Sequence, residues 1–334
     1  MTSTYQASED TYQGLPAITL RGDRYEAVVL PGVGANLIAF RDTVNGSRFL
    51  REPAPEEMDA FLAKPGVHGM PVLFPPNRYE DGKFRWNNAV YEFPVNEEAR
   101  GNHLHGFLHT IPWEVEEFGA TAASSYVSLV QRVDAQHAVY RYFPHAFTFR
   151  LRYTLSADGL MQHVSIRNNG SEAMPCLLGF HTAINAPFEP GSTESDCTFT
   201  LTTGQRYEMT ERMLPTGAFQ PLNAGEEAMK AGGISPWFEE MDNHYTAVPQ
   251  NGHNRMVLTD GRTGTKLIYD AGTAYKYWMV WNNQAAGQFF CPEPQINLVN
   301  APNVDLPAEE TGLVRLAPGE IWEETSRLYV VRAQ

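Results

Sequence analysis

At 334 residues, the chain is long enough to bury a sizeable core, either as one large β domain or as two ordinary domains. Its 25 basic and 39 acidic residues give a formal charge of −14, which argues against a nucleic-acid or anionic-membrane surface and suits action on a neutral ligand. No apolar run is long enough to span a membrane, and Met1 through Leu20 carry no charged region followed by an apolar stretch, so neither a membrane segment nor a secretory leader is expected.

Residues 16 to 40 alternate as a half-buried strand should, with Tyr25, Ala27 and Val29 on one face and Glu26 on the other. Gly32, Gly34 and Ala35 interrupt the pattern, and Asn36 to Phe40 resume it. Asn45-Gly46 reads as a hairpin turn. Pro55 to Leu62, with proline and carboxylates at its start and Pro65-Gly66 to stop it, predicts a short peripheral helix. From Gly69 to Trp113 the text is loop-rich and polar-aromatic, with Asn77-Arg78, Asp81-Gly82, Asn87-Asn88 and Asn102 to Gly106. Strands are then predicted over Tyr126 to Val130, Phe147 to Leu155 in strict alternation, and Met161 to Arg167, with turns at Asp158-Gly159 and Asn168 to Gly170. A cluster follows from Leu177 to Phe188. Further strands are predicted over Thr198 to Thr202, Met256 to Leu258, Lys266 to Tyr269, Tyr275 to Trp281, Gln288 to Cys291 and Ser326 to Val331. Many short strands punctuated by Gly, Pro and Asn, with almost no amphipathic helix, indicate an all-β antiparallel sandwich or barrel. No repeat or composition break divides residues 1–334, so a single domain is expected.

Three cysteines, Cys176, Cys197 and Cys291, are widely spaced and form no Cys-x-x-Cys pair. A disulfide framework or a zinc site is therefore not expected, and a reducing cytoplasm is. His103 and His105 share a face if Asn102 to Phe107 is extended, and with Glu114 downstream they raise a metal reading similar to the first cupin motif. The spacing to Glu114 is longer than that motif, and no second histidine motif follows. The other reading places His105 and His181 as polar groups around an uncharged ligand. Glu293, carried at the end of the apolar run Gln288 to Cys291, is then a general base, and aromatic rings such as Trp86, Trp113, Trp237 and Trp281 supply walls for a sugar.

Taken in order, several motifs resemble the aldose 1-epimerase family, the galactose mutarotase-like proteins. They are Gly34-Ala35, Asn77-Arg78, Leu104-His105-Gly106, Gly179-Phe180-His181, Pro215-Thr216-Gly217, Asp242, Glu293-Pro294-Gln295 and Leu316 to Glu320. The resemblance covers essentially the whole chain and implies a large antiparallel β-sandwich, a galactose mutarotase-like supersandwich with few short helices. It also implies Glu293 as base and His181 as acid, with Asn77, Arg78, His105 and Asp242 binding a small-molecule sugar, and no cofactor or metal. Glu239 and Glu240 compete with Asp242 for the sugar-binding carboxylate. After His181 the chain departs from the family pattern, reading Thr182-Ala183-Ile184-Asn185, which alters the expected wall beside the histidine.

On this reading a monomer or homodimer interconverts the anomers of a free aldose, without nucleic-acid or membrane partners. Glu293 would be ionised and His181 an imidazolium near pH 7, giving a bell-shaped pH profile. A carbohydrate-binding or sensor protein on the same sandwich, without turnover, is the alternative.

Overall fold

The computed structural model describes residues 4–87 and 89–333; Asn88, placed in a loop from sequence, lies outside the described residues. The strands fall into three main antiparallel sheets and three two-stranded ribbons. The five-stranded N-terminal sheet joins Gln6–Tyr12, Leu15–Arg21, Tyr25–Leu30, Asn36–Asp42 and Ser47–Arg48. One eight-stranded sheet runs Glu114–Ala120, Ser124–Val133, Phe147–Ser156, Gly159–Asn168, Ile321–Val331, Thr265–Asp270, Arg255–Asp260, Cys197–Leu201. The other runs Pro215–Gln220, Thr203–Met209, Asp242–Ala247, Tyr277–Trp281, Phe289–Gln295, Gly179–Phe180, Val72–Leu73, with Ile184–Asn185 also bonded to Phe289–Gln295.

The all-β class follows from side-chain alternation. In Phe147–Ser156, the residues Phe147, Phe149, Leu151, Tyr153 and Leu155 are fully buried while their neighbours are not, as a period of two requires. They share a continuous apolar core, which reaches from Ile18 to Leu328, with Trp278, Val280 and Phe290 of the facing sheet. Because Trp278 and Val280 point into this core, Met279 and Trp281 must point to the sheet's other face. The site lies on that face.

Three expectations need correction. Val28 and Leu30, between the alternating residues of Tyr25–Leu30, are also buried, because Phe61 of the helix Met58–Ala63 covers them together with Ile38 and Ala39. That helix therefore seals the outer face of the N-terminal sheet. A second helix, Ala224–Ala231, was not anticipated: Asn223 accepts from the Glu226 amide while the Glu226 carboxylate accepts from the Asn223 amide, closing a capping box. The run Gln288 to Cys291 also extends further than predicted, to Gln295, so Glu293 sits inside a strand whose seven residues are all buried.

Candidate active site

The strand Phe289–Gln295 organises the site. On one side Cys291 to Gln295 pair with Tyr277–Trp281, Met279 lying opposite Glu293. On the other it is bonded only at Gln295, to Gly179, and at Phe290 and Phe289, to Ile184 and Asn185. The residues between turn toward this gap the backbone nitrogens of Pro292 and Pro294, which carry no hydrogen, so the gap strands no proline donor. The chain from 180 to 183 bows away and bonds elsewhere, the His181 amide donating to the Pro71 carbonyl at 3.1 Å and the Ala183 amide to Gly69 at 2.9 Å. His181 is thereby set beside Glu293, its Nε2 3.1 Å from Glu293 Oε1.

His105 arrives from the opposite wall. Leu104 closes the strand Asn102–Leu104 and His105 takes a left-handed φ of 68°. Its amide donates to the carbonyl of Asn77, itself at φ 57°. Two consecutive features make this turn possible: Gly106 is also left-handed, and a Cβ there would overlap the Phe74 carbonyl. The His105 ring meets His181 edge-on, with centroids 5.2 Å apart. Arg78, from the short strand Arg78–Glu80, is nearly buried between two carboxylates, its Nε donating to Glu97 at 3.0 Å and an Nη to Asp242 at 3.2 Å.

Asn77, Arg78, His105, His181, Asp242 and Glu293 thus line one cavity of about 310 Å³, at the small end of ligand pockets. Trp281, half-buried and 5.9 Å from the His181 ring, forms a wall, with Met279, Gln284, Val67, Leu104 and Arg100 completing it. A larger hollow of about 750 Å³ lies between Phe219, Tyr277 and Trp322, and no histidine lines it. The acid–base groups converge in the smaller cavity, and it is there that proton chemistry has a place to occur.

Several expectations change in detail. The Asn102 to Phe107 stretch is not extended through His105, so the two histidines of the His-x-His part company. His103 bonds the Pro94 carbonyl at 2.7 Å and packs on Phe93 and Phe107. Glu114 is on the outer strand, ion-paired to Arg132 at 2.5 Å. Among the described residues, no group of three or more His, Cys, Asp or Glu side chains is arranged to hold a metal ion. Of the competing carboxylates, Asp242 reaches the cavity, whereas Glu239 holds Asn223 at the start of the second helix and Glu240 is exposed. Thr182, Ala183 and Ile184 are buried away from the cavity, so the altered segment after His181 does not build the expected wall; Trp281 does.

The electrostatics also differ from the ion pair expected. Burial pushes the Glu293 carboxyl well above its ordinary range, and the nearby Asp242 charge pushes it further, against the opposing pull of Arg78. Burial lowers the His181 imidazole to about 3, with His109 and Arg78 adding to the effect. Both shifts favour uncharged partners, a carboxylic acid bonded to a neutral imidazole. That state carries the same single proton as a carboxylate beside an imidazolium, so the two are tautomers related by transfer across the 3.1 Å contact.

Glu97, Arg100, Met279 and Gln284 were not anticipated. Met279 was open to inference, being two residues from Trp281 in one predicted strand, but Glu97 and Arg100 sit in an irregular turn that no periodicity marks.

Known structures match the fold over nearly the full chain. The family model for aldose 1-epimerase matches residues 16–329. A galactose mutarotase-like protein from Clostridium acetobutylicum superposes with a TM-score of 0.93 at 31% identity, covering 98% of each chain. A galactose mutarotase-like protein from Lactobacillus casei shares the fold, with a TM-score of 0.70 at 18% identity, covering 94% of this chain and 100% of that one. The uncharacterized protein YihR of Escherichia coli K12 is 27% identical over 58% of this chain, a match that spans only 57% of its own length. With its galactose mutarotase-like β architecture and a family match from residue 16 to residue 329, the chain belongs to the aldose 1-epimerase family.

Proposed function

We propose that the chain is an aldose 1-epimerase that interconverts the α and β anomers of a free aldose by opening and reclosing the hemiacetal ring. The observation that carries this reading is the 3.1 Å contact between His181 and Glu293 inside a sugar-sized cavity. Ring opening requires that the C1 hydroxyl lose a proton while the ring oxygen gains one; closure on the other face reverses both steps. The one-proton pair supplies one acceptor and one donor together: proton transfer across the contact gives its charged tautomer, in which Glu293 as carboxylate takes the C1 proton and His181 as imidazolium protonates the ring oxygen. On closure each group regains its starting state, so no proton is exchanged with solvent over a cycle. Each positioned transfer contributes about 10²- to 10⁴-fold, so the two together supply roughly 5 to 11 kcal/mol.

The other residues then bind. His105 sits beside His181, on the ring-oxygen side, and Arg78 and Asp242 form a matched donor and acceptor for neighbouring hydroxyls. Trp281 offers a flat face to the apolar side of a pyranose. The reading takes residues 1–334 as one catalytic domain, monomeric or homodimeric, working on a free sugar in carbohydrate metabolism. Its three buried free thiols favour a reducing cytoplasm.

The test is Glu293→Gln, which keeps the side-chain shape and removes its basicity. Turnover in coupled polarimetry should fall by at least about 10²-fold while sugar affinity changes little. Wild-type turnover in this variant would end the base assignment.

A further inference from the structure

Gln295 lies two residues beyond Glu293 on the same strand, so both side chains project from one face, with Tyr277 and Met279 opposite them on the neighbouring strand. It is fully buried, and neither its amide nitrogen nor its amide oxygen has a hydrogen-bond partner among protein atoms. Glu293 Oε2 is likewise buried and without a partner, while Oε1 faces His181. Unpaired buried amides are costly, and a hydrocarbon side chain would fill the same place without that cost.

Gly179 gives an independent sign that the glutamine's placement is built in. Its φ is not left-handed, so no turn demands a glycine; rather, a Cβ there would stand 2.9 Å from Gln295 Cγ and 3.1 Å from Pro76 Cβ. The glycine two residues before His181 therefore makes room for the glutamine two residues after Glu293. Gln295 stands outside hydrogen-bond geometry with Oε2, yet is close enough for its amide to favour the ionised carboxylate. The other polar groups around Glu293 are His181 across the gap, Arg78 and Asp242 from the cavity walls, and the Cys291 thiol on its own strand. With Arg78 shared between Glu97 and Asp242, none of these is a free donor aimed at Oε2.

We propose that Gln295 is the positioning residue for Glu293, its amide N–H closing onto Oε2 so that Oε1 is held toward His181 and the sugar. This inference rests on Glu293 being the base, and the experiment separates the two. Gln295→Met keeps length and burial but removes the donor. Gly179→Ala leaves both side chains chemically intact and displaces Gln295. Glu293→Gln serves as the reference, and thermal melting identifies any variant that fails to fold.

In anomer exchange at pH 7, Gln295→Met should lower kcat about tenfold, as expected for one lost hydrogen bond to a charged group, with KM within about twofold. Gly179→Ala should move kcat in the same direction. Infrared difference spectra against Glu293→Gln isolate the Glu293 carboxyl, whose protonated C=O band should gain intensity and move to higher wavenumber in Gln295→Met. An inactive Glu293→Gln together with an unshifted carboxyl band in folded Gln295→Met overturns the positioning role, whatever the change in rate. An active Glu293→Gln overturns the base assignment itself.

Discussion

The sharpest consequence of the buried pair concerns pH. An imidazole with its ordinary pKa of 6.5, beside a carboxyl that already holds the pair's one proton, would bind the second near that pH, costing about 25-fold between pH 7 and pH 5. The structure predicts otherwise. The active form is the pair carrying one proton, and burial of His181 delays the second proton until about pH 3. Burial of Glu293, reinforced by Asp242, holds the single proton well above the usual carboxylate range. The bell is therefore widened on both sides, and kcat/KM should fall by no more than about twofold from pH 7 to pH 5. The assay is anomer exchange by coupled polarimetry or NMR from pH 4 to 9, corrected for the uncatalysed rate, with near-ultraviolet circular dichroism confirming the fold at each pH. An acid limb centred near 6.5 in the folded protein would refute the reasoning, since it would mean that the imidazole is hydrated.

Other consequences are more local. Trp281→Ala removes the wall beside His181, and KM should rise roughly tenfold with kcat within about threefold, because stacking is lost and the acid–base pair is untouched. A collapse of kcat at unchanged KM would assign the indole to the chemistry instead. Asp42 tests the scaffold. Burial alone would raise its pKa, but bonds from Asn45, Arg24 and Arg332 outweigh that and lower it to about 2 from 3.8. Its folded value lies below its unfolded one, so it contributes about 2 kcal/mol above pH 4, lost as pH falls through about 2. Urea unfolding should show this acid loss in the wild type and a smaller one in Asp42→Asn; equal slopes would remove Asp42 from the account.

The strands were legible where one face is buried and the other is not. Phe147–Ser156 alternates cleanly, and its partners Ser124–Val133 and Gly159–Asn168 were found with only their ends misplaced. Legibility failed where burial on both faces erased the alternation. Phe289–Gln295 is buried throughout, so its reading stopped at Cys291 and left Glu293 as an appendage, although a buried strand can carry prolines where no partner needs their N–H. The capping box Asn223 to Glu226 marks a helix start in the sequence, but it lies outside the strand-and-turn pattern that identifies the fold class.

Within the site, the six residues singled out from sequence converge on one cavity, because motif order carried information that periodicity did not. Their ionisation was not legible. The signs of the shifts at Glu293 and His181 depend on how much water each retains, and that is fixed by the gap beside Pro292 and Pro294 and by the bow at residues 180–183. Nor could sequence place Glu97 against Arg78, since Glu97 opens an irregular turn that follows the hairpin Lys83–Trp86 and Ala89–Glu92.

The central claim is that this cavity moves protons on a cyclic hemiacetal, and anomer-exchange NMR on a panel of free aldoses tests it most directly. For at least one sugar, catalytic amounts of the protein should accelerate magnetisation transfer between the α and β C1 signals. Saturation-transfer contacts from a bound sugar with no acceleration for any member of the panel would make the protein a carbohydrate binder and contradict the account.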